Sequence, residues 1–170
     1  MDRRRSGEFL TTACNHCRHS TTVRSCDQLK EMLLERPEDI RKAVIVPAEH
    51  GRVYDMGRMQ AVFKADGEET AGRYSISEWW LEPRTRGPGV HAHSDDHIFY
   101  VIEGSLRFLI DGQWSRLEKG GYAIIPGGRP HDFENRETVR AGFISLNVPG
   151  GFEAMMTRIA PVLAAENLGL

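Results

Sequence analysis

From Val44 to Val148 the chain is built of short runs of β-branched and aromatic residues divided by Gly, Pro and Asp. These runs predict strands near Val44–Val46, Met59–Lys64, Tyr74–Leu81, Ile98–Ile102, Leu106–Ile110, Trp114–Leu117, Tyr122–Ile125 and Val139–Asn147. The punctuation between them is Asp66-Gly67, Glu103-Gly104, Asp111-Gly112, Gly120-Gly121 and Gly127-Gly128, the dipeptides that tight turns use. Many short strands with regular turn signals mean an all-β sandwich or barrel.

Helical spacing is confined to the two ends. Ser25-Cys26-Asp27-Gln28 fits a capping box; Leu29, Met32 and Leu33 follow at i, i+3, i+4, and Pro37 stops the pattern. This predicts a short helix over about 26–36. Phe152, Met155, Met156 and Ile159 repeat the spacing near the C-terminus, where Pro161 is expected to kink or restart the helix. That helix is expected to form a lid packed on the outside of the barrel, its methionines serving as core filling. The organisation read from these signals is a flexible tail over 1–24, a barrel with its leading helix over 25–150, and a C-terminal helix over 151–170.

Composition narrows the function classes. The length of 170 residues suits one domain with its own core, and 40% hydrophobic with 27% charged residues excludes a disordered or fibrous chain. Lys plus Arg number 22 against 24 Asp plus Glu, so a net charge of −2 makes no case for a nucleic-acid or membrane-surface partner. There is no apolar run of transmembrane length and no signal-peptide stretch, so a cytoplasmic location is expected. Cys14, Cys17 and Cys26 all lie in the first 26 residues and cannot staple the barrel; they read as part of a polar arm.

The chemistry points to histidine. Four of the seven histidines, His91, His93, His97 and His131, lie inside the β region. Residues two apart on a strand share a face, so His91 and His93 present two imidazoles together. His97 follows the polar turn Ser94-Asp95-Asp96 and shares its parity with Phe99 and Val101; His131 shares its parity with Phe133. Imidazoles gathered in this way suit a transition metal. Trp79-Trp80 puts one ring on each face of its strand, Glu78 reads as an outward carboxylate, and His50 sits in a turn with no partner.

The segment Gly87-Pro88-Gly89-Val90-His91-Ala92-His93, then His97 and Phe99-Tyr100-Val101-Ile102-Glu103-Gly104, resembles the first motif of the cupin superfamily. Gly120, Pro126, Gly128, His131 and Asn135 are similar to the second motif at every fixed position. Val148-Pro149-Gly150-Gly151-Phe152-Glu153 further resembles the opening of the last helix in single-domain cupins of the quercetin 2,3-dioxygenase-like group. The resemblance implies a single cupin jelly-roll barrel, often a homodimer. It also implies one divalent transition metal (Fe, Ni, Co, Mn or Zn) held by His91, His93, His97 and His131. One position departs from the family: His97 stands where a glutamate ligand, proposed also as the base, is usual.

Imidazole in place of carboxylate removes one negative charge from the ligand set and strengthens the Lewis acidity of a bound ion. The leading expectation is a quercetinase-like dioxygenase acting on a flavonol, enol or diketone-like small molecule, with Phe99 and Phe133 walling the pocket. His97, a metal-bound hydroxide, Asp95 or Asp96 is the candidate proton acceptor. Asp95 and Asp96 otherwise read as a solvated turn. Two alternatives stand beside it: a non-redox zinc-dependent Lewis-acid enzyme resembling polyketide cyclases, and a cupin that binds a small molecule without turnover.

Overall fold

A computed structural model describes residues 43–170. The expected tail, the helix over 26–36 and the three cysteines lie outside the described residues. Ten strands form two antiparallel sheets: β1 (Arg52–Asp55), β2 (Met59–Ala65), β3 (Ser75–Leu81), β4 (Thr85–Arg86), β5 (Asp96–Glu103), β6 (Ser105–Ile110), β7 (Gln113–Glu118), β8 (Tyr122–Ile125), β9 (His131–Asn135) and β10 (Ala141–Val148). A four-residue helix, α1 (Gly67–Thr70), follows β2, and α2 (Glu153–Ala165) follows β10. The sheets run β1-β2-β3-β10-β5-β8 and β4-β9-β6-β7 and face each other as a jelly roll.

Period-two alternation explains which side chains fill the space between the sheets. Along β3, Ser75, Ser77, Trp79 and Leu81 are buried while Ile76, Glu78 and Trp80 point out. Val101 and Phe99 on β5, Phe143 on β10, Phe108 on β6 and Phe133 on β9 meet in the middle of one core. Phe99 stacks on Phe108 at 5.1 Å, and Phe143 stands edge-on to Phe99 and to Phe133, each at 5.1 Å. Toward one end this lining turns polar. Asn147 pairs with His97 and with Ser75, and Ser145 with Phe99 and with Ser77, so β10 carries hydrophilic side chains inward beside the histidine strand.

Four expectations are corrected. Val44–Val46 forms no strand: with Ile45 89% exposed it has no sheet to pair with, and the first strand is instead the mixed-polarity Arg52–Asp55, held by its register with β2. His91 and His93 lie on an irregular segment rather than a regular strand, with a single bridge at His91. Helix α2 continues through Pro161 instead of restarting there. It covers the mouth of the barrel rather than its outside, and Met155 is half exposed while only Met156 is core. Past its end, Arg86 N–H donates to Leu168 O, Leu170 N–H donates to Arg84 O, and Gly169 bridges Thr85, which ties the helix down against β4.

The outward face of the six-stranded sheet is divided in two. Around β10, β5 and β8 it presents Ile144, Leu146, Ile98, Tyr100, Tyr122 and Ile124, brought into one patch by the pairs Ile98↔Ile124, Tyr100↔Tyr122, Ile144↔Tyr100 and Leu146↔Ile98. Around β1–β3 it carries Asp55, Lys64 and Glu78, with Trp80 covered by the Arg140 guanidinium at 4.4 Å.

The residue closing the β9–β10 corner is Asn135, fully buried. Its amide nitrogen donates among Leu81 O (3.2 Å), Glu82 O (3.0 Å) and Val139 O (2.8 Å), and its oxygen accepts from Glu137 N–H (3.0 Å). Asn135→Ala removes the side-chain partner of all four backbone groups and empties a fully buried position, and urea unfolding should show a loss of about 2–4 kcal/mol. A loss under about 0.5 kcal/mol, the range of an ordinary surface substitution, would contradict this assignment.

Candidate metal centre

Close backbone approaches bring the histidine segment against β9. A Cβ on Gly87 would meet Phe133 O at 2.1 Å, and one on Gly127 would meet Ser94 O at 2.2 Å, so only glycine lets these chains lie so near. His91 and His131 then exchange both backbone hydrogen bonds, at 3.0 and 2.9 Å, and Gly128 N–H donates to His93 O at 2.7 Å. The bridge sets the His91 and His131 rings 4.5 Å apart, with His93 5.3 and 4.9 Å from them.

Backbone carbonyls select the tautomers. His91 Nδ1–H donates to Gly89 O at 2.7 Å and His131 Nδ1–H donates to Arg129 O at 2.8 Å, which leaves Nε2 of each ring as the lone-pair nitrogen. Burial pushes the His131 imidazole down to about 4, against the Arg129 carbonyl and with the other histidines, so the ring is neutral at pH 7. Nε2 of His93 and of His131 are buried without a hydrogen-bond partner. One donor atom each from His91, His93 and His131 lies within 4.8 Å of the others. Convergent nitrogens, those of His93 and His131 orphaned, fit a transition-metal ion, because a buried polar atom without a partner is otherwise a net cost.

His97 is placed differently. Its ring lies 3.9 Å from His93 and 5.3 Å from His131, but its Nε2–H donates to Asp95 Oδ2 at 2.9 Å and also meets the Asn147 amide. It groups with His93 and Asp95, and not with His91 and His131. Asp95 is the site residue that reading the Ser94-Asp95-Asp96 turn as solvated passes over. It has the parity of His97 and turns inward, whereas Asp96 faces solvent and accepts from Gly127 N–H at 2.8 Å. Burial pushes the Asp95 carboxyl up, but hydrogen bonds from His93, His97 and Asn147 outweigh it and hold the group well below the usual carboxylate range. For His97, burial wins over the Asp95 hydrogen bond and lowers the ring below its ordinary value.

Above the histidines is a cavity of about 360 Å³. Phe99 and Phe133 line it, together with Trp79, Phe143 and Phe152; α2 adds Met155, Met156 and Ile159. Phe152 stands 5.4 and 5.5 Å from the His93 and His97 rings, a contact that its helical spacing alone did not announce. Among the described residues no Lys or Arg lines the cavity, and the one carboxylate that does, Glu166, is paired with Arg86 at 3.1 Å. Glu78 points outward to Lys64, away from the histidines.

Residues 77–147 match the Cupin domain family, Cupin_2. The domain has a cupin fold. Two solved structures share that cupin fold at a TM-score of 0.57. An RmlC-like cupin from Shewanella frigidimarina is 18% identical, with 68% of this chain and 99% of that one covered. KdgF from a Halomonas species is 20% identical, with 66% and 98% covered. A quercetin 2,3-dioxygenase of Bacillus subtilis is 31% identical over 103 residues, which is 59% of this chain and 29% of that protein. The cupin barrel therefore spans less than a third of that relative's length.

His91→Ala or His131→Ala should abolish metal retention, measured as metal per chain by elemental analysis, whereas His97→Glu should retain it. Unchanged metal content in the His91 variant would remove the assignment.

Proposed function

We propose that this chain is a metal-dependent dioxygenase acting on a small, uncharged enol, flavonol or diketone-like molecule. The observation that carries the reading is the convergence of three imidazoles at the floor of an aromatic cavity that, among the described residues, no Lys or Arg lines. A carboxylate-rich substrate would find no cation there to pair with, while a flat apolar molecule would bury its rings against Phe99, Phe133, Trp79 and Phe152. The likeness to quercetin 2,3-dioxygenase supports the same class. A bound ion would supply Lewis-acid activation of the substrate oxygen and a place to bring it together with O2, the oxidant.

The chain's own residues would handle the proton. With Nε2–H given to Asp95, the lone pair of His97 is on Nδ1, which is buried and unpartnered. It is suited to take the proton of a substrate hydroxyl, and Asp95 would hold the resulting imidazolium, the role the missing glutamate base leaves open. Phe152 and α2 would exclude water above it.

Protein purified without added metal is expected to contain a redox-active transition ion by elemental analysis and to consume O2 with flavonols or diketones at an oxygen electrode. His97→Gln should keep the ion and lose about 10²- to 10⁴-fold in rate, the usual worth of a general base. Zinc alone with turnover but without O2 uptake would favour the Lewis-acid reading. Binding without turnover would favour the third.

The uncharged outward patch around β5, β8 and β10 fits a second copy of itself about a two-fold axis, since it offers nothing for a charged partner to pair with. Sedimentation should show a dimer that Tyr122→Glu with Ile124→Glu converts to monomer; a monomeric parent protein would refute it.

A further inference from the structure

The chain holds more imidazoles at this site than it gathers into one group. His91, His93 and His131 share a reach of 4.8 Å, and His93, Asp95 and His97 share another, with His93 common to both. What separates His97 from the first group is the inward turn of Asp95. Parity along the start of β5 sends Asp95, His97 and Phe99 to the inside and Asp96 and Ile98 to the outside. The Asp95 carboxylate is then nearly sealed, its side chain 13% exposed, and its oxygens are engaged on two sides. Oδ2 accepts from His97 Nε2–H at 2.9 Å and from Asn147 Nδ2–H at 2.7 Å, while Oδ1 lies 3.2 Å from His93 Nδ1.

We propose that Asp95 is a positioning residue that withholds His97 from the metal: by holding its Nε2–H, it fixes the ring outside the ligand set and keeps the centre at three histidines. This rests on the metal-centre reading above and deepens it. A buried carboxylate bonded to two side chains has little freedom to release either. The bond to Asp95 also sets the angle of the ring and leaves Nδ1 buried without a partner. Position 97, where the cupin motif that this segment resembles usually carries a glutamate, is in this chain an imidazole held by a hydrogen bond to Asp95. Asn147, opposite His97 on β10, is the second anchor: its Nδ2–H donates to the carboxylate at 2.7 Å and its amide also meets the imidazole. Removing the carboxylate frees the ring to rotate and offer a fourth nitrogen to the ion.

The test is titration of the metal-free full chain with Co(II), read as visible absorption and affinity, with no turnover involved. Wild type and His97→Ala should bind one Co(II) with the same d–d spectrum and affinities within about threefold. Asp95→Ala should change the spectrum and bind about tenfold more tightly, on the scale by which outer-shell partners tune a site. Asp95→Ala combined with His97→Ala should restore the wild-type spectrum. Asp95→Asn, isosteric and able to keep the fold if the alanine variant does not, should show the same change at smaller amplitude. If His97→Ala alone shifts the spectrum or weakens binding tenfold, His97 is a ligand and the proposal falls. If Asp95→Ala and Asp95→Asn both leave the spectrum as in wild type, Asp95 withholds nothing. If Asp95→Ala changes it and the double variant does not restore it, Asp95 is itself a ligand and the proposal is again overturned. Absence of any Co(II) binding by the wild type would instead remove the metal-centre reading on which it rests.

Discussion

Nε2 of His93 and of His131, and Nδ1 of His97, sit in the interior with no hydrogen-bond partner, three of the six such side-chain atoms among the described residues. Leaving such atoms unpaired costs on the order of 1–3 kcal/mol each, so their arrangement is a constraint the rest of the barrel has to meet. It does so by rigidity. The His91–His131 backbone exchange, the glycine contacts at 87 and 127, and the carbonyls of Gly89 and Arg129 together leave the rings little choice of orientation.

The same interior is divided along its length. Phe99, Phe108, Phe133 and Phe143 interlock as an aromatic floor, and two residues along β5, β9 and β10 the lining becomes His97, His131 and Ser145. Electrostatics at the site are therefore set over dry aromatic packing, where a hydrogen bond such as Asp95–His97 is stronger than it would be in water. That contrast places titratable side chains against an aromatic-lined cavity. Helix α2 completes the division: Phe152 sits against two histidines at its start, and Glu166 is pinned to Arg86 at its end.

Much of this was legible in the linear chain because it is local. Seven of the eight predicted strands recur within a few residues of their expected ends, since β-branched runs and Gly-containing turns act over a handful of positions. Val44–Val46 failed for the converse reason: a strand exists only if another pairs with it, and pairing is not encoded in three residues. Arg52–Asp55, with two charged residues in four, carried no run to detect, and its register with β2 makes it a strand.

The sequence by itself determined the all-β architecture, the hairpin turns and the set of histidines that face inward, because side-chain parity and turn chemistry are properties of neighbouring residues. Only the tertiary structure decided which of those histidines meet. His131 reaches His91 across forty residues through a single bridge, and Asp95 reaches Asn147 across fifty-two. Those contacts depend on where separate strands are laid side by side, which is why a turn that reads as solvated became the support of the site. The placement of α2 over the barrel mouth is of the same kind: helical spacing announces an apolar face, and the surface it covers follows from the Leu168 and Gly169 contacts to β4 that anchor its far end.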